Sequence, residues 1–280
     1  MKILVTGANG YIGSHVVKCL LDNNIDVIAC DINTSNVDKR ATCINIDIFN
    51  SQNINMYKEL HSPDVCLHMA WRNGFVHNSE SHMIDLSLHY QFLTKIIDGG
   101  LKHLAIMGTM HEVGYWVGAI DESTPCNPIS LYGIAKDALR RAIMLYASQK
   151  NCLLQWIRCY YIIGDDLKSN SIFGKIIKAA NNNQKSFPLN SGKNKYDFIK
   201  IEQLAEQISA TIMQDEVFGV INCCSGMPVS LGEQVESFIR EHNLNLSLIY
   251  GAFPDRPYDS PCIYGDDSKI KYILNQRKYK

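Results

Sequence analysis

Ile3-Leu4-Val5-Thr6-Gly7-Ala8-Asn9-Gly10-Tyr11-Ile12-Gly13 is the stretch that decides the fold. Its apolar start reads as a short, buried parallel strand. The glycines at 7, 10 and 13 then allow a tight turn, a close approach of backbone to a pyrophosphate, and close packing of helix on strand. From Ser14 to Leu21 the pattern turns helical, with Val16, Val17, Leu20 and Leu21 on one face. A helix starting there aims unpaired N–H groups at phosphate. The spacing is Gly-x-x-Gly-x-x-Gly. A glycine motif alone also fits a plain turn, so the flanking residues decide.

Val27-Ile28-Ala29-Cys30 reads as a second strand and ends in Asp31. A carboxylate about twenty residues past such a loop accepts hydrogen bonds from an adenosine ribose, which favours NAD(H). Lys39 and Arg40 lie nearby and keep NADP(H) open, and Asp31 also fits a simple strand-end turn. Further strands are expected at Cys43–Ile48, Val65–Ala70 and Leu101–Met107, with helices around Met56–Leu60 and Met83–Ile97. This alternation predicts an α/β fold, a doubly wound parallel sheet covered on both faces. Ligands in such sheets bind beyond the carboxyl ends of the strands. Gly7–Gly13, Asp31, Asp47, Ala70 and Thr109 all fall at such ends and are expected to meet in one crevice.

The fifth strand runs into Thr109, and a glycine- and proline-marked loop leads on to Leu131-Tyr132-Gly133-Ile134-Ala135-Lys136. On a helix, Tyr132 and Lys136 project from one face a turn apart. They also fit an ordinary amphipathic surface pair, as Thr109 fits a plain strand end. A lysine charge beside a phenol favours the phenolate, which predicts a lowered Tyr132 pKa. Together the three residues can move a proton on and off a secondary alcohol.

Composition narrows the partners. The 280 residues are 46% hydrophobic and 20% charged with a formal net charge of −1, an ordinary globular balance. No long run of one sign occurs, which argues against nucleic-acid or membrane-surface binding. No apolar run reaches membrane-span length. The ten cysteines form no Cys-x-x-Cys pair and several sit in apolar runs. With a first segment that lacks a signal-peptide layout, they predict a reduced, cytoplasmic protein without a metal site.

These residues resemble the extended short-chain dehydrogenase/reductase family, in its NAD-dependent epimerase/dehydratase group acting on nucleotide sugars. The likeness spans essentially the whole chain and rests on Thr6-Gly7-x-x-Gly10-x-x-Gly13, Asp31, Asp47-Ile48, Thr109, Tyr132-x-x-x-Lys136 and Asp197-Phe198-Ile199 in order. It implies a Rossmann-type sheet with a smaller C-terminal substrate-binding region. Residues 1–164 would bind the dinucleotide, with 196–225 returning to that domain, and 165–195 with 226–280 would bind substrate. Gly7, Gly10 and Gly13 would cradle the pyrophosphate, and Asn9, Tyr11 and Ile12 between and beside them would also bind the cofactor. Asp31 would hold the ribose, Asp47 and Ile48 would border the adenine, and Ala70 would line the crevice. Tyr132 would be the acid/base, Lys136 would hold the nicotinamide ribose, and Thr109 would polarise the sugar carbonyl. Trp156–Gly164 looks like the sixth strand, Asp197–Ala205 like the return strand and helix, and Arg256-Pro257-Tyr258-Asp259 like a late diphosphate-binding arginine. The likeness also implies a homodimer.

The departures from the family pattern carry information too. Members that remove water across C4–C6 follow the threonine with Asp-Glu, whereas Met110-His111 stand here and Glu112 comes one position late. A dehydratase is therefore disfavoured. Ser87, Tyr161 and Tyr196 replace two usual asparagines and an arginine, and Trp71 stands where a small residue is common. With Tyr196 there, the diphosphate falls to Arg256, with Lys195 and Arg72 as further cations. His111 and Tyr161 complete the candidate substrate contacts. His111 reads first as a loop histidine bonded to backbone, with proton transfer as the alternative. The expected activity is reduction of the C4 ketone of a 4-keto-6-deoxy nucleotide sugar by NAD(P)H. A 4-epimerase and a non-catalytic cofactor-binding scaffold are the alternatives.

Overall fold

The computed structural model describes residues 1–50, 55–164, 171–256 and 258–277. Residues 165–170, where the expected substrate region begins, Pro257 of the late arginine motif, and 278–280 lie outside the described residues.

The first half alternates as expected: β1 (Lys2–Thr6), α1 (Tyr11–Asp22), β2 (Asp26–Asp31), β3 (Thr42–Asn45), α2 (Met56–Glu59), β4 (Val65–His68), α3 (Ser81–Asp98) and β5 (His103–Thr109). A 3₁₀ turn at Met110–Glu112 leads to β6 (Gly118–Ile120), α4 (Leu131–Gln149), β7 (Leu153–Cys159) and β8 (Tyr161–Ile163). Then follow α5 (Ile172–Asn181), β9 (Ser186–Pro188), β10 (Lys195–Lys200), α6 (Ile201–Ile212), β11 (Gly219–Cys223), β12 (Pro228–Ser230), α7 (Leu231–Glu241), β13 (Ser247–Ile249), β14 (Cys262–Gly265) and α8 (Ser268–Arg277).

Seven parallel strands form the main sheet in the order β11-β7-β5-β4-β1-β2-β3. The chain winds outward from β1 to β3, then crosses back to β4 on the other side. That reversal leaves the crevice above β1 and β4 in which such sheets bind ligands. Both faces are covered, which is why the central strands read as unbroken apolar runs. Ile3, Val5, Val16, Val17, Leu204 and Ile208 pack on one side, and Leu4, Phe92, Leu93, Leu104, Ile106 and Leu139 on the other. Each such buried side chain contributes roughly 1.5–3 kcal/mol.

Two strands differ from expectation. The third stops at Asn45, because Asp47 accepts the Phe49 N–H at 3.0 Å and turns the chain out of the sheet. The expected sixth strand breaks at the buried Tyr160. β7 stays beside β5, whereas β8 pairs with β10 in a second sheet, where β10 also pairs β12 and β14, and β14 pairs β6. This sheet brings Tyr161, Tyr196 and Phe198 into one aromatic cluster.

Candidate active site

β5 delivers Thr109 to the carboxyl edge of the main sheet. The next three residues turn at once because Thr109 and Glu112 cap each other. The Thr109 hydroxyl accepts the His111 N–H at 3.3 Å, and Glu112 Oε1 accepts the Thr109 N–H at 2.7 Å. α4 starts beside this turn and carries Tyr132 and Lys136 in its first two turns. Its leading N–H groups are met by protein: Ser130 Oγ accepts from Gly133, Asn78 Oδ1 from Leu131, and the His77 carbonyl from Tyr132 at 2.8 Å. A side-chain cap of this kind contributes about 1 kcal/mol.

Tyr132 sits in a cage of rings. His77 lies nearly parallel at 5.6 Å, His82 at 5.3 Å, and Trp71 and His111 each at 6.1 Å between centroids. Burial pushes the phenol well above its usual range, and neighbouring Cys159 adds to the rise. The Thr109 hydroxyl faces the phenol and opposes that rise. The expectation of a phenol lowered by Lys136 is therefore not met. The ammonium is engaged elsewhere: its Nζ donates to the Met107 carbonyl at 2.7 Å and sits 3.8 Å from the centre of the Trp71 ring. Burial brings Lys136 down to about 8, with Glu112 and Cys159 opposing.

Trp71, unusual in sequence, is built in firmly. His89 stacks on it at 4.2 Å, so the ammonium covers the opposite face. The indole N–H donates to His82 Nδ1 at 3.1 Å, which leaves the His82 proton on Nε2 for the Val76 carbonyl. A buried chain continues behind. Thr6 Oγ1 accepts the Met69 and Ala70 N–H groups, so its own proton goes to His68 Nδ1 at 2.8 Å. His68 Nε2 then donates to His89 Nδ1 at 2.9 Å. Burial lowers His68 to about 3 and His111 to about 3, and both are neutral near pH 7. His68, His77, His82 and His89 were not candidates from sequence. His68 stands in an otherwise apolar run, but nothing in the sequence pairs these histidines with one another or with Tyr132.

The glycine loop fits the phosphates of a dinucleotide. Gly7 has φ +71°, and a Cβ there would lie 2.7 Å from the Ala70 nitrogen, so the two strand ends touch backbone to backbone. The α1 N-cap, Gly10, offers no side chain to the helix, so the positive end of its dipole can face a phosphate. Asn9 Oδ1 is buried without a partner, an acceptor waiting for a donor. Tyr11 and Ile12 open α1 beside the loop. Asp31 accepts the Asn9 N–H at 3.0 Å and so borders the loop. Asp47 spends its oxygens on Phe49 and Asn50, and Ile48 lies beside it, partly buried.

The structure brings Thr109, His111, Tyr132, Lys136 and Tyr161 together: the His111 ring is 6.4 Å from Tyr161 and 4.4 Å from His77. The exposed Arg256 guanidinium lies 6.0 Å from the Tyr258 ring, and its charge adds a small downward push on the pKa values of His77, Tyr161, Tyr196 and Asp259. Arg72 stands apart from these, forked onto the buried Asp85. Glu112 turns away from the crevice into the core, where it cannot act as the acid of a dehydration. Among the described residues, no helix is long and apolar enough to cross a membrane and no cluster of ligand-type side chains could hold a metal.

The sequence profile of the NAD dependent epimerase/dehydratase family matches residues 3–224. A dTDP-6-deoxy-L-talose 4-dehydrogenase (NAD(+)) of Aggregatibacter actinomycetemcomitans is 46% identical over 269 residues, covering 95% of this chain and 99% of that protein. Among solved structures, a UDP-N-acetylglucosamine 4-epimerase from Methanobrevibacter ruminantium M1 superposes with a TM-score of 0.84 at 20% identity, covering 97% of this chain and 91% of that one. A UDP-glucuronic acid 4-epimerase from Bacillus cereus, in complex with UDP-glucuronic acid and NAD, superposes with a TM-score of 0.82 at 21% identity, covering 98% and 93%. At that identity the structural likeness shows the shared Rossmann-type fold. The chain belongs to the NAD-dependent epimerase/dehydratase family and is an NAD-dependent enzyme of its nucleotide-sugar 4-dehydrogenase and epimerase type.

Proposed function

We propose that the chain interconverts a ketone and a secondary alcohol at C4 of a 6-deoxy nucleotide sugar, and that it works as a 4-keto-6-deoxy sugar reductase. The observation that carries this reading is the Thr109 hydroxyl facing the enclosed Tyr132 phenol, with Lys136 one turn farther along α4. The 46% identical 4-dehydrogenase supports the choice of carbon and of a 6-deoxy sugar.

When bound, NAD(H) would supply or take up the hydride. Gly7, Asn9, Gly10, Tyr11, Ile12 and Gly13 would hold its pyrophosphate, Asp31 a ribose, Asp47 and Ile48 the adenine, and Ala70 and Lys136 the nicotinamide end. Thr109 Oγ1 already accepts from the His111 N–H, so its own proton is free to bond the oxygen at C4. Tyr132, kept protonated by burial, gives its proton to the developing alkoxide, work that typically contributes ~10²–10⁴-fold. Arg256 would pair the diphosphate, since a guanidinium fork fits two phosphate oxygens. Arg72, His111 and Tyr161 would complete the substrate side. Residues 1–164 with 196–225 would serve the dinucleotide, and 165–195 with 226–280 the sugar. Exposed Met83 and Ile84 on α3, with Ile134 and Leu145 on α4, suit a homodimer contact, testable by light scattering. The ten free cysteines suit a cytoplasmic setting.

The test is to supply dTDP- and GDP-linked 4-keto-6-deoxy sugars with NADH and follow loss of NADH absorbance. Oxidation with one of them supports the reductase, and silence with all of them sinks it. Stoichiometric NAD released from freshly denatured protein, with C4 inversion and no net oxidation, would point instead to the epimerase.

A further inference from the structure

Glu112 has no role in the chemistry above, yet it is one of the most enclosed charges in the molecule. It is fully buried. Its Oε1 accepts the Thr109 N–H at 2.7 Å and the Trp156 indole N–H at 2.9 Å. Its Oε2 meets the same indole at 3.0 Å, the Arg158 guanidinium at 3.4 Å and Arg140 Nε at 3.7 Å. Arg140 lies on α4 one turn beyond Lys136 and also binds Asp137 at 2.6 Å, while Arg158 reaches the Asp121 carbonyl at 3.0 Å. The carboxylate thus ties together the end of β5, the middle of β7 and the helix that bears Tyr132. Room for it exists only because residue 108 is glycine: a Cβ there would lie 2.1 Å from Trp156 Nε1 and 2.8 Å from Glu112 Oε1. Burying a carboxylate is costly unless its partners compensate, so a merely space-filling residue at this place would be apolar.

We propose that Glu112 is a positioning residue that acts through Thr109. It clamps the Thr109 backbone from beneath, so that the hydroxyl stays aimed at Tyr132 and at the oxygen being reduced. The 3₁₀ turn is the lever. One carboxylate oxygen holds its first N–H, and the side chain at the other end of the same bond is the hydroxyl that touches substrate. Displacements of about 1 Å in such a group cost up to ~10²-fold in rate.

The catalytic consequence rests on the role of Thr109 proposed above, whereas the clamping does not, and the experiment separates the two. Glu112→Gln, Thr109→Ala and the double variant are compared for turnover, with NADH affinity measured by fluorescence titration. Glu112→Gln should lower kcat about 10- to 100-fold while NADH Kd stays within about twofold. The double variant should be no slower than Thr109→Ala alone, because residues acting through one group are non-additive. A double variant slowed by the product of the two single effects, or wild-type kcat in Glu112→Gln, overturns the proposal. Glu112→Asp keeps the charge for both arginines but shortens the reach to Thr109. It serves if Glu112→Gln fails to fold, and wild-type kcat there is equally fatal. If the wild-type chain turns over no nucleotide sugar, the functional reading has failed, and amide hydrogen exchange at Thr109 decides the clamp. Faster exchange at Thr109 in the variant supports it, and unchanged protection overturns it.

Discussion

Thr109 and Tyr132 face one another across the same crevice but are held in opposite ways. Behind Thr109 stand charges: Glu112 and Arg158, both deep in the core, and the partly buried Arg140. Around Tyr132 stand rings: Trp71, His77, His82 and His111. The difference suits the role proposed for each hydroxyl. A group that only orients an oxygen needs a stiff backbone, and charge-assisted hydrogen bonds supply one. A group that gives up a proton needs surroundings that keep it protonated until the alkoxide forms, and a low-dielectric cage does that. Lys136 joins the halves. It is a cation placed on the ring side, and burial lowers its pKa to about 8.

The sharpest break in this comparison removes the donor alone. Tyr132→Phe should cut turnover by about 10²–10⁴-fold with little change in NADH affinity, as judged by steady-state rates and fluorescence titration. Unchanged turnover would mean that the caged phenol is not the acid. On the charged side, Arg158→Met should lower unfolding free energy by about 3–5 kcal/mol, because Glu112 loses its nearest guanidinium, and urea denaturation reads this directly. A loss below about 1 kcal/mol would show that the network is not what stiffens the Thr109 turn. The junction is probed by pH. A buried lysine with a lowered pKa is charged below about 8 and loses its proton as pH rises through that value. Coenzyme affinity should therefore weaken above pH ~8, by up to about tenfold per unit, and Lys136→Met should flatten the dependence. The smallest expected effect lies within the ring cage. His82→Ala removes the acceptor of the Trp71 indole and should cost about 1–3 kcal/mol of stability while leaving the protonation state of Tyr132 unaltered.

Much of this arrangement was legible in the chain. The glycine loop, the strand–helix alternation and the four-residue step from Tyr132 to Lys136 are local patterns, and local patterns survive folding. The long-range pairings were less accessible. Lys136 was expected to act on its helix neighbour Tyr132, and it turned instead to Met107 and Trp71, contacts that sequence spacing does not reveal. Glu112 stood one position late for the acid of a dehydratase and was given no other role. Yet Thr109-x-x-Glu112 is itself the spacing of a reciprocal cap, so the inward turn of that carboxylate had a signal. Tyr160, at the break between β7 and β8, gave none: it is an aromatic residue in an aromatic run, and only the second sheet explains why the strand divides there. His68 and His89 were equally silent, because a histidine bonded to another histidine needs a neighbour twenty-one residues away.

α4 is 19 residues long, and Tyr132, Lys136 and Arg140 stand on successive turns of one face. Each engages a different part of the molecule: the Thr109 hydroxyl, the Met107 carbonyl with Trp71, and the Glu112 carboxylate. Slipping the helix by a single residue turns it about 100° and parts all three contacts at once. A slip of that kind therefore leaves none of the three in place. Lesions far from the crevice that loosen α4 will sort a preparation into competent and silent molecules, and an active-site count will fall while the rate per competent molecule holds.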